Sequence, residues 1–215
     1  YKRIVITKFG GHEVLKEISE SALPEPAKGQ VRIKVLCTSA AFTDTLIRRG
    51  IYLGIKNKPP FTPGYDLVGV VDKVGEDVLH LKKGQKVADL TVIGSYTEYI
   101  CREAKTLVPV PDGLNDAESV SLILSYLTAY QMLYRSAKIK PEQTILIHAC
   151  AGAVGIAMLQ LGKLLKLKMY GTASTAKHNF IKRFGAIPID YKNEDFVERL
   201  KSAEPNGIDA VFDSI

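Results

Sequence analysis

Residues 143–166 read QTILI, HACAGAVG and IAMLQLGKLLK in succession: a β-branched run, a glycine-bearing turn and a helix-length segment rich in Leu, Met and Lys. Few folds accept that order. A strand that turns sharply into a helix aims the helix's first N–H groups, and the positive end of its dipole, out of the turn, where they can hold a phosphate. The turn meets the three-glycine dinucleotide pattern only in part, with Cys150 at the first position and Gly152 and Gly155 at the other two. Gly152 would let backbone approach a pyrophosphate, Gly155 would let the helix pack on its sheet, and the N–H groups of Ala153 and Val154 would face the phosphate. The same residues also suit a tight strand-to-helix junction with no ligand.

The rest of the chain narrows the choice. Residues 1–115 carry short alternating runs separated by glycine turns: RIVIT (3–7), EVLKEIS (13–19), VRIKVLCTS (31–39), DLVGVVDKV (66–74), KKGQKVADL (82–90) and SYTEYICR (95–102). That spacing predicts a curled or barrel-like β domain. Its one helical patch is TDTLIRRG (43–50), with a Thr at its start and a terminating Gly. After the Pro/Gly segment VPVPDGLNDAE (108–118) the period changes, and a helix is expected to open at Asn115 or Asp116 and run through residues 118–137. Strands at 144–148, 167–172, 186–190 and 209–215 then alternate with helices at 153–166, 175–184 and 193–202, the signature of a parallel doubly wound sheet. The expected class is α/β, with a β-rich domain over 1–115 and a dinucleotide-type domain over 116–215. Four strands ending on the apolar VFDSI fall two βα units short of a six-strand dinucleotide fold, so the chain reads as a piece of a longer protein.

A ribose-binding carboxylate is expected about twenty residues beyond the glycine turn when the ligand is NAD. From Gln143 through Ile189 there is no Asp or Glu, while the second strand ends in YGTASTAKHN (170–179). Ser174 and Lys177 there suit a 2′-phosphate, so the reading favours NADPH. A solvated basic helix start is the plainer alternative.

Other functions find less support. The net charge of +6 is scattered, with KLLKLK (163–168) the densest cluster and no nucleic-acid motif beside it, so no nucleic-acid partner is expected. Cys37, Cys101 and Cys150 are odd in number and far apart, which points to a reducing, cytoplasmic setting and to Cys37 and Cys150 as small buried fillers. The N-terminal YKRIVITKFG reads as a strand, and the uncharged window 143–162 contains His148, Gln160 and glycines, so no membrane span is expected. GGHEV (10–14) reads as a polar hairpin turn. With no Cys-x-x-Cys and no His pair at i, i+4, no metal is expected, and no Gly-x-Ser-x-Gly elbow supports a hydrolase.

Taken together, FTDTLIRRGIY (42–52), PFTPGYDLVGVVDKVG (60–75), KKGQKVADL (82–90), SYTEY (95–99), YLTAYQML (126–133), HACAGAVG (148–155) and PIDYKNEDF (188–196) resemble the medium-chain dehydrogenase/reductase superfamily, on its zinc-free quinone oxidoreductase (zeta-crystallin-like) side. The resemblance spans essentially the whole chain. It implies a GroES-like barrel domain before a Rossmann domain, hydride transfer in the cleft between them, and a homodimer for the full-length protein. It also implies a cofactor site of Ala41, Thr128, Ala151, Gly152, Ala153, Val154, Gly155, Thr172, Ser174, Lys177 and Tyr191, with Thr128 near the nicotinamide and Ser174, Lys177 and Tyr191 at the 2′-phosphate. The family's catalytic zinc would need Cys at Ala41 and His at Tyr65, and many quinone oxidoreductases carry Asn where Ala41 stands. Without zinc, alcohol oxidation lacks its Lewis acid, whereas a quinone or α,β-unsaturated carbonyl needs less activation. Tyr52 or Tyr65 would then serve as catalytic donor to the developing oxyanion. The expected function is NADPH-dependent reduction of a small-molecule quinone or enone. The alternatives are a non-catalytic NADPH-binding regulatory protein and a zinc-free alcohol dehydrogenase-like enzyme.

Overall fold

The computed structural model describes residues 1–213, and the chain divides into two compact units, Tyr1–Leu124 and Ser125–Ile215. In the first unit the N-terminal alternation forms an antiparallel hairpin of β1 (Lys2–Ile6) and β2 (Leu15–Ser19). Bridges Arg3↔Thr97 and Ile6↔Phe61 stitch β1 to two later loops. The main sheet has five antiparallel strands in the order β6-β3-β4-β5-β7, comprising β3 (Gln30–Cys37), β4 (Leu67–Val74), β5 (Lys86–Asp89), β6 (Tyr99–Glu103) and β7 (Val108–Pro109).

Period-two alternation sends Val31 and Ile33 of β3 inward to meet Leu67, Val71 and Val87, while Arg32 pairs with Asp72 at 2.6 Å on the other face. Two register shifts in the β3–β4 pair, at Arg32/Ile33 and Val35/Cys37, curl the sheet. Gly69 permits the close approach there, since a Cβ would lie 2.4 Å from Ile33 Cγ2. The short helix α1 (Phe42–Arg49) starts one turn position earlier than the sequence suggested: Ala41, not a threonine, is its N-cap, and Asp44 Oδ2 accepts the Ala41 N–H at 2.9 Å. Gly50 ends it with φ 74°, as its glycine implied.

Asn115 caps α2 (Asp116–Ser121) through a reciprocal pair of bonds with Glu118, Oδ1 accepting at 2.9 Å and the Asn115 N–H donating at 3.1 Å. The expected single helix over 118–137 is instead three pieces: α2, α3 (Leu124–Tyr130) and a π-helical stretch Gln131–Ser136. Since α2 packs against β3 and β4, burying Ser119 and Val120, the first unit runs to Leu124 and not to residue 115.

The second unit is a four-stranded parallel sheet in the order β10-β9-β8-β11, built from β8 (Thr144–Ile147), β9 (Lys168–Thr172), β10 (Ile187–Ile189) and β11 (Ala210–Phe212). Numbered in chain order within the unit, that is 3-2-1-4, the order of the first four strands of a dinucleotide fold. The last strand is shorter than the expected 209–215, and residues 214 and 215 lie outside the described residues. Helices α4 (Ala153–Leu164), α5 (His178–Lys182) and α6 (Phe196–Ala203) fill the crossovers. Ile145 and Ile147 of β8 and Met169 of β9 point to one face, where Ala157, Met158 and Leu159 of α4 cover them. Leu146 and its register partner Tyr170 point to the other, with Ile189 and the α6 residues Phe196 and Leu200. Both faces are therefore buried, and each fully buried Ile or Leu contributes about 1.5–3 kcal/mol.

Candidate functional site

The chain leaves β8 at Ile147 and reaches α4 in five residues. Ala149 takes φ 48°, which turns the backbone sharply, and the Gly152 N–H closes the turn on the Ala149 carbonyl at 2.8 Å. Gly152 then caps α4 with no side chain, so the N–H groups of Ala153, Val154 and Gly155 have no acceptor among the described residues. Gly155 has no room for anything larger: a Cβ would stand 2.5 Å from the Cys150 carbonyl oxygen. The Cys150 side chain fills the space over Gly171, and burial pushes its thiol up to about 12, which makes it inert filler.

A cavity of about 590 Å³ opens over this turn, at the C-terminal ends of β8, β9 and β10. Ala151 and Gly152 form its floor, Thr172 and Ser174 come from the end of β9, Lys177 from the one-turn 3₁₀ segment that follows, and Tyr191 from beyond β10. Its lining holds one lysine and no carboxylate. Lys177 is exposed and has no ion-pair partner among the described residues. Four further lining residues were not singled out in the sequence: His148, Ala149, Ala173 and Phe196. His148 Nδ1 lies 3.1 Å from the Thr172 hydroxyl, and its ring meets Phe196 edge-on at 5.0 Å. The signal for Phe196 was its place one residue after Asp195, whose carboxylate caps α6 by accepting the N–H groups of Val197 and Glu198.

Tyr52 and Tyr65 form a separate cluster in the first unit. Their hydroxyls are 2.8 Å apart and their rings meet edge-on at 6.0 Å, over Ile6, Val14 and Ile47. Tyr65 is fixed from below: Gly64, at φ 108°, abuts Ser95 so closely that a Cβ would lie 2.2 Å from its hydroxyl oxygen. The next residue, Asp66, is fully buried and accepts the Ser39 N–H at 3.0 Å and the Ser39 hydroxyl at 2.7 Å. Burial first, and the hydrogen bond with Tyr52 second, push the Tyr65 phenol up to about 12. Burial and the nearby Asp44 carboxyl push Tyr96 up in the same sense.

With this geometry in view, the likeness to known proteins is specific. Residues 27–112 match the alcohol dehydrogenase GroES-like domain family. The chain is 35% identical to the synaptic vesicle membrane protein VAT-1 homolog of Danio rerio over 217 residues, covering 100% of this chain and 45% of that protein. Escherichia coli quinone oxidoreductase complexed with NADPH superposes with a TM-score of 0.89 at 32% identity, over 95% of this chain and 63% of that one. The quinone oxidoreductase from Coxiella burnetii gives 0.85 at 33% identity, over 99% and 68%. The chain belongs to the medium-chain dehydrogenase/reductase superfamily, in its quinone oxidoreductase branch. It spans about half the length of the VAT-1 homologues it matches and about two thirds of the quinone oxidoreductases.

Within this superfamily chain the expected site residues separate into groups. Ala151, Gly152, Thr172, Ser174, Lys177 and Tyr191 share one cavity, and Ala153, Val154 and Gly155 supply the helix start beneath it. Thr128 is half-buried in α3 and does not line the cavity, and Ala41 belongs to the first unit with Tyr52 and Tyr65. Cys37 ends β3 half-buried, where the sequence suggested a mid-strand filler. Among the described residues no three His, Cys, Asp or Glu side chains gather in a way that could hold a metal, and no helix is long and apolar enough to cross a membrane.

Proposed function

We propose that the second unit binds NADPH and that the protein uses it to reduce a quinone or an α,β-unsaturated carbonyl. The observation that carries this reading is the cavity over the glycine turn, which combines unsatisfied helix-start N–H groups, one free lysine and no carboxylate. The fit is tested by the backbone. Gly152 has its backbone bare on the cavity floor, and Gly155 lets α4 sit close enough to Cys150 to aim its N–H groups into the turn. Ala153 and Val154 would hold the pyrophosphate by main-chain donation, and Ser174, Lys177 and Tyr191 would hold the 2′-phosphate.

When bound, the reduced nicotinamide supplies a hydride. The chain's own contribution to the acceptor is a proton donor. In the Tyr52–Tyr65 pair one hydroxyl donates to the other, and the accepting tyrosine keeps its own O–H free to donate outward to a substrate oxygen as negative charge develops. With its phenol held near 12, Tyr65 stays neutral throughout the physiological range, as a donor must. A second reading, a regulatory protein that binds NADPH without turnover, draws on two observations. Ala41 offers no polar side chain, and the VAT-1 homologues are named for a membrane and not for a reaction.

Separate titrations with NADPH and NADH, followed by nicotinamide fluorescence in a chain with no Trp, test the cofactor. NADPH is expected to bind more tightly, and Lys177→Glu to weaken it by about 10–100-fold while leaving NADH nearly unchanged. Equal affinity for both coenzymes sinks the 2′-phosphate assignment. Turnover of a quinone and enone panel then separates the enzyme from the regulator.

A further inference from the structure

Asp190 is the first carboxylate after Glu142, and it follows directly on the third parallel strand. By type and position it is the natural candidate to bind a ribose hydroxyl, which would favour NAD. Its surroundings say otherwise. The side chain is 5% exposed and does not line the cavity. Oδ2 accepts the Thr175 hydroxyl and, at 2.8 Å, the Asn193 amide; Oδ1 accepts the Lys192 N–H at 3.0 Å; and the residue's own N–H donates to Glu194 at 2.9 Å. The Thr175 hydroxyl first, then the Lys192 N–H and the Asn193 amide, hold its carboxyl down at about 2.

What those bonds join is informative. Thr175 lies in the loop after β9, between Ser174 and Lys177, and Lys192 and Asn193 follow Tyr191 in the loop after β10. Ser174, Lys177 and Tyr191 all line the cavity, although two different loops carry them. We infer that Asp190 is a positioning residue for coenzyme selectivity: it clasps the β9 loop to the β10 loop, so that one loop's serine and lysine and the other's tyrosine face a single phosphate. The same bonds occupy both of its oxygens, so the carboxylate, ionised as it is, is turned onto Thr175, Lys192 and Asn193 and does not line the cavity. The inference rests on the NADPH reading above and goes beyond it, because Asp190 does not itself line the cavity.

The test compares NADPH and NADH dissociation constants for the wild-type protein, Asp190→Ala, Thr175→Val and Thr175→Ser, with a thermal melt to establish that each is folded. In the folded Asp190→Ala protein the preference for NADPH should fall by about tenfold or more, with NADH affinity within about twofold of wild type. Thr175→Val should lose part of the preference and Thr175→Ser should retain it. Should Asp190→Ala not fold, the two Thr175 variants decide. A preference unchanged in both Asp190→Ala and Thr175→Val overturns the clasp. Equal losses for both coenzymes overturn it too, since they report general damage to the unit. A wild-type protein without any preference brings down the NADPH reading itself, and the clasp with it.

Discussion

The glycine turn of the second unit and the tyrosine pair of the first are both candidate reactive sites, but they are made of different material. The turn would work through main-chain N–H groups, and Gly152, Ala153 and Val154 offer amides, not side-chain functional groups. The tyrosine pair would work through two phenols, and the residues flanking Tyr65 are held by Gly64 against Ser95 and by Asp66 bonded to Ser39. A backbone site can lose its function through one added carbon atom. A side-chain site loses it only when the functional group itself goes or drifts.

The sharpest way to break this contrast lies inside the turn. Valine at position 155 places a Cβ 2.5 Å from the Cys150 carbonyl and 2.7 Å from that of Ala149, both backbone atoms with little freedom to retreat. Gly155→Val should destabilise the protein by roughly 2–3 kcal/mol and abolish detectable cofactor binding, because α4 must lift away from the turn. Gly152 has an ordinary φ of −82°, and its added Cβ would stand 3.1 Å from the Ala149 oxygen, so Gly152→Ala should cost under about 1 kcal/mol of stability. Its methyl would nevertheless stand between backbone and pyrophosphate and weaken NADPH by about tenfold. Urea unfolding and coenzyme titration of the two variants measure these separately. A Gly155→Val protein that binds normally would show that the turn is a junction and nothing more.

The corresponding change in the first unit is gentler. Tyr52→Phe and Tyr65→Phe each remove one oxygen and preserve the ring packing over Ile47. Each is expected to lower kcat by about 100-fold with a responsive quinone or enone, and to leave NADPH affinity within about twofold. The double variant should be little worse than either single one, because a hydrogen-bonded pair of donors acts as a unit. Stopped-flow or steady-state turnover beside a coenzyme titration checks this, and an unchanged kcat in both single variants would leave the pair as packing.

The same difference in material explains what the sequence made legible. Strand–glycine–helix spacing is local, so Gly152, Gly155, the parallel sheet and the cavity end at which Ser174 and Lys177 sit could all be placed from residue order. His148 and Phe196 could not, because their contact joins a strand end to a helix start 48 residues on, and sequence spacing carries no information about that meeting. The compact units divide after Leu124, later than the expected 115, for a related reason. Asn115 announced a helix through its capping box, but whether that helix packs forward or backward depends on Ser119 and Val120 finding β3 and β4. Absence was also an incomplete guide: the acid-free stretch ended at Ile189, and only the hydrogen bonds of Asp190 reveal that the next carboxylate is spent on structure.

Asp190 and Asp44 carry the comparison to its smallest effect. Both are buried, one in each unit, yet their carboxyls shift in opposite directions. Asp190 is pulled from 3.8 to about 2 by donors aimed at its charged form. Asp44 is pushed above 3.8, chiefly by burial, against the opposing Ala41 N–H. For Asp190 the native state favours the ionised form, so its contribution to stability is present above pH 3.8 and is lost as pH falls toward 2. For Asp44 the native state favours the neutral form, so its contribution is complete below pH 3.8 and is lost as pH rises through its higher native value. Urea midpoints measured across this range on Asp190→Asn and Asp44→Asn should therefore diverge. Relative to wild type, Asp190→Asn should recover as pH drops from 4 to 2, while Asp44→Asn should gain as pH climbs from 4 toward neutrality. Parallel curves for the two variants would mean that hydrogen-bond donors and burial do not divide the two carboxyls, and that the hydrogen bonds around Asp190 do not select its charged form.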